Sequence, residues 1–103
     1  MYSRVMQLEI DTLSITTQEA VDLFRTRVLP DLRTQDGYEG VVVLANPDGK
    51  AEIVTFWETP EEASAAAAFG SEALERFVTV FRSPVGRDQY EVVLTELPDV
   101  VVA

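Results

Sequence analysis

Apolar and polar residues alternate from Met6 to Ile10, a period that is typical of a β-strand with one buried face. A strand from Tyr2 to Ile10 is therefore predicted. Alternate side chains share a face, so that one face carries Arg4, Met6, Leu8 and Ile10 and the other carries Val5, Gln7 and Glu9.

The period changes to that of an amphipathic helix after Thr16. Thr16 and Glu19 have the spacing of a capping box, in which each side chain binds a free backbone N–H of the first turn. Apolar residues then recur at helical spacing to about Leu32. Pro30 lacks an N–H and is expected to kink or fray the last turns, and the segment ends by Gly37.

Two further strands are predicted on either side of a tight turn. Tyr38 to Ala45 is rich in valine, Asn46 to Gly49 has the composition of a turn, and Lys50 to Glu58 is again rich in apolar residues. Proline at the second turn position and glycine at the fourth suit a type I turn. The pattern indicates a β-hairpin.

A second helix is expected directly after the hairpin. Thr59 and Glu62 repeat the capping-box spacing, and Pro60 occupies the first helical position, where its missing N–H is tolerated. An alanine-rich run follows, which strongly favours a helix. Gly70 is expected to interrupt this helix, and helical spacing then continues to about Arg82.

A fourth strand is predicted from Asp88 to Leu97, where Pro98 ends it. The element order is then β-α-β-β-α-β. This order favours an α+β, ferredoxin-like fold, with a four-stranded antiparallel sheet and both helices on one face. The 103 residues are predicted to form a single domain, residues 1–103.

Some strands carry apolar side chains on both faces, although the two helices can cover only one. The second strand, for example, places Val41 and Val43 on one side and Val42 and Leu44 on the other. A large uncovered apolar patch usually marks an interface. We therefore expect a homodimer joined through the sheet face, with residues 97–103 as an arm onto the partner.

The composition is that of a globular domain with a strong excess of acids. Hydrophobic residues make up 47%, and eight Lys and Arg against eighteen Asp and Glu leave a net charge of −10. This charge disfavours nucleic acids and anionic membranes as partners. No apolar run approaches the roughly 18 residues that span a bilayer, and no secretory signal is found at the start. A cytoplasmic location is predicted.

The sequence contains neither cysteine nor histidine. Disulfides, thiolate nucleophiles and Cys or His metal sites are therefore excluded, and the usual general base is missing. A calcium-binding loop of carboxylates is not found either, so no metal and no cofactor are predicted. Any chemistry must use Asp, Glu, Tyr, Arg, Ser or Thr, or must belong mainly to the substrate.

The single tryptophan, Trp57, ends the third predicted strand directly before the second capping box. Its segment is Val54 to Thr59, and the first helix is followed by an Asp-Gly-Tyr sequence that ends at Tyr38. Together with the hairpin, these features resemble the antibiotic biosynthesis monooxygenase family, over roughly residues 2 to 97. The resemblance implies a dimeric α/β barrel built from ferredoxin-like subunits.

The resemblance also implies an activity. Oxygenases of this family use neither metal nor flavin, because an acidic phenolic substrate such as an anthrone-like polyketide is deprotonated and its carbanion reacts with O2. The strand tryptophan shapes the family's pocket, and Trp57 matches it; its indole N–H can donate to a substrate oxygen. Family oxygenases tend to place an asparagine nearby, for which Gln7 is an approximate equivalent. Haem-degrading relatives need a histidine on the second helical region, which is missing from this chain.

Further candidates for binding a planar aromatic substrate are Tyr38, Phe24, Phe77, Phe81 and Arg82. A tyrosine hydroxyl can orient a ligand, the phenylalanines can line a cavity, and the arginine can stabilise an enolate or phenolate. Each candidate also has a structural explanation in strand packing, core packing or a solvated helix surface. The same holds for Trp57 as a core anchor and for Gln7 as a solvent-facing or interface residue.

The sequence thus favours a cofactor-independent monooxygenase that acts on a planar aromatic or polyketide-like molecule with O2. Two alternatives stay open. One is a non-catalytic ligand-binding or stress-associated dimer. The other is an interaction domain whose interior is filled by its own side chains.

Overall fold

The computed structural model describes residues 1–75 and 86–97, which form a sheet and two helical regions. The strands are β1, Tyr2–Glu9; β2, Tyr38–Ala45; β3, Lys50–Trp57; and β4, Gly86–Glu91. The helices are α1, Thr17–Leu23; α2, Leu29–Leu32; and α3, Pro60–Glu75, with a π-helical segment, Phe24–Val28, between α1 and α2. The predicted order of elements is confirmed.

The sheet has the strand order β2-β3-β1-β4, and every neighbouring pair is antiparallel. β1 and β3 are the central strands, and they pair along their whole length, from Tyr2 opposite Trp57 to Glu9 opposite Lys50. Two helical connections and one hairpin join strands in this order. The result is the ferredoxin-like α+β arrangement that the sequence predicts.

The first helical region begins with the predicted capping box. Thr16 Oγ1 accepts from the Glu19 N–H at 3.1 Å, and the Glu19 carboxylate accepts from the Thr16 N–H at 3.2 Å. The helix then widens, and the Leu29 N–H donates to the carbonyl of Phe24, five residues earlier. Pro30 follows at the start of α2, where a missing N–H is tolerated. The expected irregularity thus lies just before the proline, and the helix continues past it without fraying.

The turn between β2 and β3 is organised by Asn46 and Gly49. The Gly49 N–H donates to the Asn46 carbonyl at 3.1 Å, and the Asn46 side-chain oxygen accepts from the backbone of Asp48 at 3.0 Å and of Lys50 at 3.2 Å. Gly49 has a φ of +92°, and a Cβ there would lie 2.5 Å from the carbonyl oxygen of Ile10. Both the backbone conformation and this close approach require glycine.

The second helical region is capped as predicted but is not interrupted. The Glu62 N–H donates to Thr59 Oγ1 at 3.1 Å, and the Thr59 hydroxyl donates to Glu62 Oε1 at 3.0 Å. α3 then runs through Gly70 without a break. The predicted interruption is wrong because a helical glycine costs only about 1 kcal/mol, which the surrounding alanines and packing on the sheet outweigh. The predicted continuation to Arg82 lies outside the described residues.

The fourth strand is shorter than the predicted Asp88 to Leu97. It ends at Glu91, which pairs with Tyr2, the first residue of β1. One more hydrogen bond joins the chain after β4 to the residue before β1, from the Val92 N–H to the Met1 carbonyl at 3.0 Å. The chain then continues without strand pairing to residue 97, and its large apolar side chains are mostly exposed: Val93, Leu94 and Leu97. Residues 98–103 of the predicted arm lie outside the described part.

The two faces of the sheet differ in their cover. On one face, Leu8, Ile53 and Trp57 are buried against both helical regions. None of the described helices packs against the opposite face, termed the open face. The register places a set of apolar side chains on the open face: Val5, Val42, Leu44, Val54 and Phe56. The two-faced apolar pattern inferred from the sequence is therefore real.

Within residues 1–75 and 86–97, no helix has both the length and the apolarity needed to cross a bilayer. α3 is 16 residues long and begins with Glu61 and Glu62 in its first turn. The cytoplasmic location stays a prediction.

Candidate functional site

Trp57 ends β3 underneath both helical regions. It is 1% exposed and packs against Leu32 of α2 and against Ala63 and Ala66 of α3. The ring of Tyr38 meets it edge to face, with centroids 6.0 Å apart and planes at 76°. The small alanine side chains leave room for the indole beneath the helix. Trp57 is thus an anchor of the core.

The polar atom of Trp57 is engaged inside the protein. Its Nε1–H donates to Thr55 Oγ1 at 2.9 Å, and Thr55 is itself buried. A buried indole N–H needs a partner, and the residue two positions earlier on a strand lies on the same face and can supply one. The donor that the resemblance assigns to a substrate oxygen is therefore occupied, and Trp57 offers apolar surface to a neighbouring ligand.

A small cavity lies beside Trp57, between the sheet and the helices, with a volume of about 50 Å³. Its apolar lining comes from both central strands and both helical regions: Met6, Phe24, Val28, Leu32, Ile53, Ala66, Ala67 and Phe69. A water molecule occupies about 30 Å³ of liquid, whereas pockets for ligands of drug size span about 300–1,000 Å³. The cavity has room for water, and a ring system enters only if side chains such as Phe69 move.

Two arginines supply the charge at this cavity. Among the described lining residues, Arg4 and Arg87 are the charged ones, and no carboxylate joins them. Arg4 lies on the helix-facing side of β1, and Arg87 lies next to it at the start of β4, opposite Met6. Burial, and then the charge of Arg87, lower the pKa of Arg4 from its ordinary value. An arginine nevertheless keeps its proton in proteins, so the cavity has a positive end.

Gln89 fixes the head of Arg4. Arg4 Nη1 donates to Gln89 Oε1 at 3.2 Å, and Gln89 Nε2 donates to the Pro60 carbonyl at 3.2 Å. Ser64 Oγ also donates to Gln89 Oε1, at 3.4 Å. One amide thus connects β1, β4 and the first turns of α3. In the part of the chain that the structure describes, Arg4 forms no ion pair with a carboxylate.

The candidate residues from the sequence are only partly brought together. Trp57 and Phe24 line the cavity, and Tyr38 packs on the edge of the indole. Gln7 lies on the open face, where its Nε2 donates to Glu52 Oε1 at 3.2 Å. Within one chain, Gln7 and Trp57 therefore lie on opposite faces of the sheet. Successive side chains of a strand point to opposite faces, so an alignment that is wrong by one residue predicts the wrong face. Phe77, Phe81 and Arg82 lie outside the described residues.

Arg4 is a cavity residue that the sequence-based candidates do not include, although the sequence carries a signal for it. Arg4 shares its strand face with Met6, Leu8 and Ile10, and a cation on an otherwise apolar face needs an explanation. Arg87 had no such signal, because the predicted strand began one residue later. Its position became clear only from its pairing opposite Met6.

A wider groove, of about 700 Å³, lies at the end of the sheet near the hairpin. Its lining includes Gln7, Glu9, Lys50 and Glu52 of the open face, and it is a broad surface depression. Such a groove is more open than the cavity at Trp57, and part of its lining belongs to the open face.

Solved structures share this fold at low sequence identity. NE2512, a protein of unknown function from Nitrosomonas europaea, superposes with a TM-score of 0.73 at 15% identity, over 96% of this chain and 95% of that chain. The monooxygenase ActVA-Orf6 of Streptomyces coelicolor, in complex with nanaomycin D, gives 0.70 at 18% identity, over 95% and 92%. The haem-degrader MhuD of Mycobacterium tuberculosis, with two haems in its active site, gives 0.70 at 22% identity, over 93% and 99%.

The chain therefore has the fold of the antibiotic biosynthesis monooxygenases, as the resemblance implied. No protein-family model matches the sequence, and no curated protein matches it. One fold carries many activities, so this likeness shows the fold without assigning a site or a reaction.

Proposed function

We propose that the protein binds a planar aromatic or polyketide-like molecule in the cavity beside Trp57 and oxidises it with O2, without a cofactor. The observation that carries the proposal is the apolar cavity itself, between the sheet and the helices and against the indole of Trp57. Its support from outside the chain is the likeness in fold to a monooxygenase that was solved with nanaomycin D.

The reaction suits a site whose described lining holds no carboxylate, because the substrate supplies both the acidity and the electrons. In an anthrone-type substrate, the CH2 carbon loses a proton and the carbanion bonds to O2, which gives a hydroperoxide after protonation. Loss of water then breaks the O–O bond and leaves a carbonyl at that carbon. One oxygen atom ends in the quinone and the other in water, and four electrons pass from carbon to O2. The protein would orient the rings and stabilise the anion.

Binding without turnover is the second candidate function. It is favoured by the hydrogen bond from Trp57 to Thr55, which occupies the donor that a substrate oxygen would use. A protein that only sequesters an aromatic compound needs the apolar cavity and no reactive group.

Haem, which the MhuD structure contains, does not fit this chain. Haem iron that handles oxygen is usually held by a proximal histidine or a cysteine thiolate, and the sequence has neither. We propose no step through haem.

A homodimer joined through the open face is part of the same proposal. Val42 and Leu44 on this face are 37% and 53% exposed, and with their apolar neighbours on the same face they form a patch of the kind that marks an interface. The unpaired segment after β4 adds the exposed Val93, Leu94 and Leu97. A second copy of the chain would bury both surfaces.

The decisive experiment uses anthrone as the probe, with two readouts. Trp57 is the only tryptophan, so its fluorescence reports directly on the cavity, and an oxygen electrode reports turnover. We expect a saturable fluorescence change and consumption of O2 with formation of anthraquinone. Ala67 lines the cavity, so Ala67→Phe should block both signals by filling it. Ala68 is the exposed next residue of the same helix, so Ala68→Phe is the matched control and should preserve both.

The outcomes separate the candidate functions. Binding without consumption of O2 above the rate in buffer would leave the non-catalytic function. Absence of binding by wild type would leave an interaction domain whose interior is filled by its own side chains.

A further inference from the structure

We infer that Arg4, with Arg87 beside it, selects a ligand that carries an ionised oxygen, so that the natural ligand is an aromatic carboxylate or phenolate rather than a neutral ring system. The inference rests on the proposed function, because it assumes that the cavity beside Trp57 is the binding site. It goes further by naming the charge of the ligand and the residue that recognises it.

The position of Arg4 is the first observation. Its side chain leaves the helix-facing side of β1 and joins a lining that is otherwise almost entirely apolar. A guanidinium has five N–H donors, and those that the protein does not use can bind water or a ligand. Among the described residues, its side chain makes one hydrogen bond, to the neutral amide of Gln89. The remaining N–H groups of Arg4 can donate to a carboxylate or phenolate oxygen of a ligand in the cavity.

The neighbour of Arg4 is the second observation. Arg87 lines the same cavity, and its charge disfavours the charged form of Arg4, in addition to burial. An anion bound by Arg4 would lie close to this second positive charge and would be attracted by it.

The charge of the rest of the molecule is the third observation. The chain has a net charge of −10, yet no Asp or Glu is found among the described residues of this lining. A strongly acidic protein repels anions at long range. Any preference for an anionic ligand must therefore come from the two arginines.

Gln89 is the positioning residue of this arrangement. It holds the Arg4 head while being held itself by Pro60 and Ser64 of α3. Because the amide is neutral, it leaves the charge of Arg4 available. Gln89→Glu has nearly the same shape but would give Arg4 an internal carboxylate, which would compete with the carboxylate of a ligand.

The test compares two probes of nearly equal shape, anthracene-2-carboxylate and anthracene-2-carboxamide, by quenching of Trp57 fluorescence at low salt. A hydrogen bond to a charged group is worth enough to change affinity by about 10- to 100-fold. We expect wild type to bind the carboxylate at least about tenfold more tightly than the amide. This comparison needs no variant, so it does not depend on how a mutant folds.

Three variants then assign the preference. Arg4→Met keeps an unbranched apolar stem without the charged head and should remove the preference for the carboxylate while binding of the amide persists. Gln89→Glu should weaken binding of the carboxylate selectively, which a merely structural role of Gln89 would not do. Arg27→Met removes an equal charge from an exposed site on the π-helical segment and should leave the preference intact.

The failures are distinguishable. Equal affinity of wild type for both probes overturns the inference and leaves the proposed function standing. If neither probe binds, the cavity is not the binding site and both fall. A preference that survives in Arg4→Met also overturns the inference.

Discussion

The indole N–H of Trp57 donates to the hydroxyl of Thr55 across 2.9 Å, and both side chains are buried. The two residues lie two positions apart on β3, so the strand itself brings them to the same face. The bond removes the polar end of the indole from any ligand. It leaves the ring as an apolar surface next to the cavity, and it leaves the recognition of polar groups to Arg4 and Arg87.

Thr55→Val should destabilise the protein by about 1–3 kcal/mol, because it leaves a buried indole N–H without a partner while changing the shape of the side chain little. Thr55→Ser keeps the hydroxyl and should retain most of that stability. The measurement is urea unfolding followed by the fluorescence of Trp57. Equal stabilities of Thr55→Val and wild type would show that water, rather than Thr55, satisfies the indole.

The fold was predictable because its local signals agree with each other. The capping boxes at Thr16 and Thr59 and the turn at Asn46 each mark a boundary by short-range chemistry. The misjudged boundaries depend on tertiary partners. α3 continues through Gly70 because it packs on the sheet, and the extent of β4 follows its pairing with β1, which ends with Glu91 opposite Tyr2.

The site was less predictable than the fold. The sequence predicts that Trp57 lies at the end of a strand. The partner of its indole N–H depends on which hydroxyl lies on the same face of the sheet, and this is known only from the structure. Gln7 was aligned by sequence position, and a single residue of register separates the two faces of a strand. Arg87 lies beside Arg4 only because β4 pairs with β1, and no local sequence pattern predicts that pairing.

Two glycines should respond to alanine in opposite directions. Gly49→Ala should cost about 2 kcal/mol or more, because φ is +92° and the new Cβ would meet the backbone carbonyl of Ile10. Gly70→Ala should stabilise by up to about 1 kcal/mol, since the residue is helical and its Cβ would make an ordinary contact, 3.8 Å from Met6 Sδ. Urea unfolding of both variants beside wild type checks the signs. A loss of stability in Gly70→Ala would mean that α3 cannot accommodate the methyl group at this point.

The open face should determine the oligomeric state. Val54 lies at its centre, between Val5 on β1 and Val42 on β2. We expect wild type to scatter light as a particle of twice 11.4 kDa, and Val54→Glu to give a monomer, because a charge would be buried in an apolar interface. Ala68→Glu introduces the same charge at an exposed position of α3 and should remain a dimer. A wild-type mass of 11.4 kDa would refute the interface.

Tyr38 should couple stability to alkaline pH. Burial raises the pKa of Tyr38 above its ordinary value of 10.0, and the nearby charge of Arg33 offsets part of this rise. The folded state therefore holds the phenolic proton more tightly than the unfolded state does. The resulting stability is fully present below the ordinary pKa and is lost as pH rises through the folded one.

Tyr38→Phe removes this ionisation while keeping the ring that packs on Trp57. The advantage of wild type over Tyr38→Phe in free energy of unfolding should therefore stay constant up to about pH 9 and shrink as the pH rises through and above about 10. Urea unfolding of both proteins at each pH measures that difference directly, and the other groups that titrate in this range cancel in the comparison. A difference that stays constant across the interval would mean that the phenol titrates equally in the folded and unfolded states, and that the contact with Trp57 leaves the hydroxyl in water.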